Sequence, residues 1–191
     1  MTWQRYGIEA LGAMAQGLFC SLLIGTIIKT LGTQLGVQFI TDIGTYAMAV
    51  SGPAMAVAIG YALKSPPMVL FSLAAVGWAA NAEGGAGGPL AVLIIAIAAA
   101  ECGKAVSKET KVDLLVTPGV TILVGVALAK LIAPPIGTAA NALGLLIIEA
   151  TNLRPFFMGI LVSVIVGVAL TLPISSAAIC SVLGLTGLAG G

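Results

Sequence analysis

The chain of 191 residues contains no histidine, and only 8% of it is charged and 5% aromatic. Without imidazole, the commonest ligand for zinc, haem and non-haem iron is missing, and so is the side chain best placed to move protons near neutral pH. Histidine-based catalytic triads are excluded. Soluble domains carry roughly a quarter charged residues, so the scarcity of charge also excludes an ordinary globular enzyme and a disordered chain. Eight Lys or Arg against seven Asp or Glu leave a formal charge of +1, too balanced to draw the protein to nucleic acid. The cysteines, Cys20, Cys102 and Cys180, have no C-x-x-C spacing and read as small buried hydrophobes rather than metal ligands or disulfide partners. Neither a metal nor a cofactor is expected.

What is present is apolar. The AVILMFWYC residues make up 59% of the chain, 25 residues are Gly, and the mean hydropathy is +1.14. The solvent that suits such a chain is the lipid bilayer. Crossing about 30 Å of hydrocarbon takes roughly 20 helical residues. Seven or eight stretches are candidates: Ile8 to Thr30, Ile43 to Leu63, Pro67 to Ala82, Pro89 to Gly103, Leu114 to Ile132, Ile136 to Asn152, Pro155 to Leu172 and Ile174 to Gly191. Sustained apolar/polar alternation is lacking, which argues against a transmembrane β-barrel. The expected fold is an all-α polytopic membrane protein, a single transmembrane domain over 1–191, with about 7–8 hydrophobic segments and broken helices or re-entrant hairpins among them.

Lys and Arg are retained on the cytoplasmic side of a membrane. If the N-terminus is cytoplasmic and the spans alternate, Arg5, Lys64, Lys104, Lys108, Lys111 and Arg154 fall inside and only Lys29 and Lys130 outside. The expected location is a multi-pass position in a bacterial inner membrane.

An unpaired backbone group in lipid costs several kcal/mol, so irregular chain is tolerated only where protein buries it or water reaches it. Breaks in the apolar runs therefore mark cavities. Pro and Gly interrupt the chain at Gly52-Pro53, Ser65 to Pro67, Gly84 to Pro89, Thr117 to Gly119, Ala133 to Gly137, Arg154-Pro155 and Leu172 to Ser176. Any one of these reads equally as a plain turn or a close helix contact. Together they fit interrupted helices whose ends meet in mid-membrane, where secondary transporters bind solute through backbone N–H and carbonyl groups.

Polar residues beside breaks are the candidate binding residues. Asn81 and Glu83 precede the Gly-rich run and place an amide and a carboxylate beside backbone that a ligand can approach; the bland alternative is an exposed turn. Glu149, Asn152 and Arg154 form a second polar group between two apolar runs, and Glu149 in lipid needs a partner or a cavity. Glu9, Gln16 and Lys29, and the Glu101–Lys104 pair at i, i+3, read as structural.

The runs GLLIIEATNLRPFFMG (144–159) and ALTLPISS (169–176), with GLFCSLLIGTIIK (17–29) and NAEGGAGGP (81–89), make the chain resemble the bacterial phosphotransferase-system EIIC-like sugar permeases, in the branch that occurs as a stand-alone membrane protein. The resemblance implies a helical bundle with re-entrant hairpins, a sugar site at their tips, a homodimer, and cytoplasmic phosphotransferase components as partners. Family members are longer, which implies that this chain is the N-terminal part of a longer domain. They commonly pair a Glu with a His at the sugar, and this chain has no His. It carries no phosphoryl donor of its own.

The functional expectation is an EIIC-like transporter of a small polar solute, most plausibly a sugar, working by alternating access and not itself an enzyme. Asn81, Glu83, Glu149, Asn152 and Arg154 would supply hydrogen bonds, with Trp78, Phe156 and Phe157 as the aromatic options. The alternative is a membrane sensor or regulatory subunit that binds a solute without moving it and uses Lys104 to Asp113 as its contact surface.

Overall fold

The computed structural model describes residues 4–107, 109, 113–151, 160, 163 and 164, with backbone alone for 86 and 143–151. The described residues are helical and contain no strand, as lipid demands of a backbone that must satisfy itself within each segment. Six helices follow one another: α1 (Gln4–Leu35), α2 (Gln38–Ala49), α3 (Ser51–Ala62), α4 (Pro67–Gly84), α5 (Gly88–Val106) and α6 (Asp113–Thr151). Two stretches of α1, Gln4–Glu9 and Phe19–Leu23, are wound as π-helix.

The ends of these helices have identifiable causes. α1 stops at Gly36, whose φ of 66° is the left-handed conformation that suits glycine. Gly36 N–H donates to Thr33 O at 3.3 Å and Val37 N–H to Gly32 O at 3.0 Å, the paired bonds of a Schellman cap. The same pair closes α3, where Lys64 N–H donates to Tyr61 O and Ser65 N–H to Gly60 O. There the left-handed residue is Lys64, at φ 55°. Pro66 and Pro67 then start α4, with Pro67 at the first-turn position where its missing N–H costs nothing.

The second half of α1 and α2 form an antiparallel hairpin, while the first half of α1 packs with α3, α4, α5 and the first part of α6 around a core of Met14, Met55, Ile59, Leu73, Val92 and Ile95. The rest of that core is largely Ala with some Val, the small side chains that let membrane helices approach. Large apolar side chains face outward instead: Leu114, Leu115, Leu123 and Leu131 along α6, and Tyr61, Phe71 and Trp78 on α3 and α4, are all more than 60% exposed. This inverted arrangement is that of a bundle solvated by lipid.

Among the described residues three helices, α1, α5 and α6, are long and apolar enough to cross a membrane, or four spans if the bent pair α2 and α3 counts as one. The seven or eight expected segments are therefore not all separate. Leu114 to Ile132 and Ile136 to Asn152 merge, because α6 runs unbroken through Pro118, Pro134 and Pro135. The expected breaks at Thr117 to Gly119 and Ala133 to Gly137 do not occur. In water, freed carbonyls would find solvent partners outside the helix; in lipid, turning would orphan more groups than continuing does. Pro118 also lies in the second turn, where the only carbonyl it frees belongs to Leu114 of the first.

The break expected at Gly52-Pro53 falls instead at Val50, where α2 and α3 meet at 45°. Pro53 sits in the first turn of α3, and its ring would collide with the carbonyl four residues back, at Ala49. The breaks at Ser65 to Pro67 and Gly84 to Pro89 are observed. Cys20 and Cys102 are exposed thiols, not buried ones, because both lie on outward-facing helix positions. Pro155 to Leu172, Ile174 to Gly191 and Cys180 lie outside the described residues, apart from 160, 163 and 164.

Candidate functional site

Two of the breaks meet. The Val50 bend ends at Ser51, and the turn Gly85–Gly87 joins the end of α4 to the start of α5. Between them and α1 lies a cavity of about 160 Å³ lined by Leu18, Leu22, Ser51, Met55, Asn81, Gly85 and Pro89. Leu18 and Leu22 come from the edge of the second π-helical stretch of α1.

The polar groups of this cavity are Ser51 and Asn81. Ser51 is only 5% exposed, and among the described residues neither its hydroxyl nor the Asn81 amide has a hydrogen-bond partner. Glycines create the space around Asn81: a Cβ on Gly52 would stand 2.6 Å from Asn81 Cβ, and one on Gly88 would collide with Asn81 Oδ1. The first turns of α3 and α5 also border the cavity, so the partial positive charge of two helix N-termini adds to the donors there. Among the described residues no charged side chain lines it. A hydroxyl that donates and accepts, beside an amide with two N–H groups and one carbonyl, is the equipment for a neutral hydroxylated solute.

Of the residues expected from the sequence, Asn81 lines this cavity and Glu83 is exposed. Two residues along a helix turn the side chain about 200°, so the amide and the carboxylate face opposite ways. Trp78 is 63% exposed and is not part of the lining. The backbone of Glu149 lies on α6, about 18 Å of helical rise beyond Gly137, which packs on Gly84. Asn152, Arg154, Phe156 and Phe157 lie outside the described residues. Ser51 was not singled out from the sequence, although it adjoins Gly52-Pro53 and meets the criterion of a polar residue beside a break that selected Asn81.

The opposite end of the bundle is charged. Arg5 Nη2 donates to Leu63 O at 2.9 Å and Lys104 Nζ to the same carbonyl at 3.3 Å. Lys104 also pairs with Glu101, as their i, i+3 spacing predicts, and Arg5 lies 3.9 Å from that carboxylate. Arg5, Lys64 and Lys104, expected together on one side of the membrane, thus share one end of the bundle. Among the described residues no group of three His, Cys, Asp or Glu side chains is arranged to hold a metal ion.

The family model described as "Phosphotransferase system, EIIC" matches residues 8–191 of the chain. No curated protein and no solved structure matches it.

Proposed function

Because the chain belongs to the phosphotransferase system EIIC family, a family of multi-pass membrane permease components, we propose that it binds and moves a sugar or related small polar solute across a bacterial inner membrane by alternating access. The observation that carries this reading is the cavity where the Val50 bend and the Gly85–Gly87 turn meet, with a Ser51 hydroxyl and an Asn81 amide in its wall that have no hydrogen-bond partner among the described residues. Uncharged lining favours a neutral solute. At about 160 Å³, the cavity is smaller than the roughly 300–1,000 Å³ typical of complete ligand sites. Glu149, Asn152 and Arg154 are proposed to add hydrogen bonds to the solute, and Glu83, which faces away from Asn81, to join them only when the end of α4 turns about its axis.

In this reading the 191 residues act as one transmembrane domain, paired in a homodimer with the N-terminus cytoplasmic. The chain is the membrane conduit and not an enzyme. Phosphoryl groups come from cytoplasmic phosphotransferase components. The test is counterflow of labelled hexoses, hexitols and disaccharides in vesicles containing the purified chain. At least one should exchange in a saturable way, and Glu149→Gln should abolish that exchange without altering the helical circular dichroism signal. Unchanged exchange would remove Glu149 from the site, and no exchange of any probe would remove the transport reading.

A further inference from the structure

At the charged end of the bundle a second recess, of about 360 Å³, is lined by Gln4, Arg5, Glu9, Ala62 and Lys64. Its charges are not satisfied by one another. Arg5 Nη2 donates to Leu63 O and lies 3.9 Å from Glu101 Oε1, outside the recess, which leaves the other guanidinium nitrogens to the recess, while Lys64 and Glu9 have no ion-pair partner among the described residues. Two cations and one carboxylate therefore face a common space that a ligand bearing both signs would neutralise. Gln4 adds an amide donor and acceptor.

Two further observations bear on the occupant. Lys64 holds the left-handed position of the α3 cap, at φ 55°, where glycine is the favoured residue, so a cation stands at the rim in a conformation that an L side chain seldom adopts. The recess also borders lipid-facing surface. Ile8, next to Glu9, is 54% exposed, and Tyr61, next to Ala62, is 77% exposed. A ligand fitting both features has a zwitterionic head and an apolar tail. We propose that this recess seats the headgroup of a phospholipid with a primary ammonium, its phosphate against Arg5 and Lys64, its ammonium against Glu9, and its acyl chains along Ile8 and Tyr61. A quaternary ammonium has no N–H to offer Glu9, and an anionic head without a cation leaves that carboxylate facing negative charge.

The test is native mass spectrometry of the full chain released from micelles holding equal amounts of phosphatidylethanolamine, phosphatidylcholine and phosphatidylglycerol with identical acyl chains. Phosphatidylethanolamine should be retained about threefold over the other two, the size of one solvent-exposed ion pair. Glu9→Gln should remove its advantage over phosphatidylglycerol, Lys64→Gln should lower retention of all three, and Lys64→Arg should preserve it. Equal retention of the three lipids, preferences that survive both Glu9→Gln and Lys64→Gln, or a Lys64→Arg loss as large as that of Lys64→Gln would overturn the proposal. So would displacement by an equal concentration of soluble phosphoethanolamine, which would assign the recess to a water-borne ligand.

Discussion

Gly52→Ala tests the packing that forms the cavity. The new methyl would meet the Gly77 carbonyl and stand 2.6 Å from Asn81 Cβ, and in return a Cβ on Gly77 would meet the Gly52 carbonyl. The carbonyl is backbone and cannot rotate aside, so α3 and α4 must separate. Overpacking of this kind costs about 1–3 kcal/mol. Alanine also gains about 1 kcal/mol of helix propensity over glycine, which would mask part of the cost if Gly52→Ala were measured alone. Gly12→Ala supplies the reference, since nothing lies within 4 Å of a Cβ there and only the propensity gain remains. That gain is an upper limit at Gly52, which is the second residue of α3 and precedes Pro53, whose ring opposes a Cβ on the residue before it, so the difference between the two variants contains this term besides the α3–α4 contact. Gly52→Ala should then unfold below Gly12→Ala by about 1–3 kcal/mol, or roughly 2–12 °C for a chain of this length. Thermal unfolding in detergent, followed by circular dichroism, reads the difference. Equal midpoints for the two variants would refute the close α3–α4 contact, and with it the placement of Asn81 in the cavity wall.

Ser51→Ala and Asn81→Ala should each weaken binding of the exchanged sugar by about 0.5–1.5 kcal/mol, the net worth of one hydrogen bond, or roughly 2–13-fold in Kd by calorimetry. Lys64→Gly should raise stability by about 1–2 kcal/mol in the same unfolding assay, because it relieves a left-handed lysine. Glu101→Ala should cost no more than about 1 kcal/mol, and less at high salt: the carboxylate side chain is 38% exposed, so its pairing with Arg5 and Lys104 is screened.

Much of the fold is legible in the sequence because apolar runs in lipid have no alternative to helix. Pro67–Gly84 and Gly88–Val106 lie within three residues of their expected bounds at each end, and the Gly84 to Pro89 turn is where its composition puts it. Proline was the misleading signal. Pro134 and Pro135 mark a break by the rules of water-exposed helices, yet Ala133 and Gly137 pack on Gly84 across them and α6 continues. Pro53 does bend the chain, but three residues upstream, through the carbonyl its ring would strike. Asn81 was legible as a polar residue beside a break. Ser51 was legible by the same criterion and became evident only when the bend brought it to the α4–α5 turn. The opposed directions of Asn81 and Glu83 follow from helical periodicity and needed only the knowledge that α4 continues to Gly84. The exposure of Cys20 and Cys102 is not legible in composition, which does not distinguish a lipid-facing thiol from a core one.

In the proposed function, broken helices enclose a hydrated solute site at Ser51 and Asn81. Its most direct test is the reaction of Ser51→Cys, in a background lacking the three native cysteines, with a charged water-borne thiol reagent in vesicles. The thiol should be labelled, and the exchanged sugar should slow labelling in proportion to its occupancy. A thiol inert to the reagent, or labelled at one rate whichever sugar is present, would contradict it.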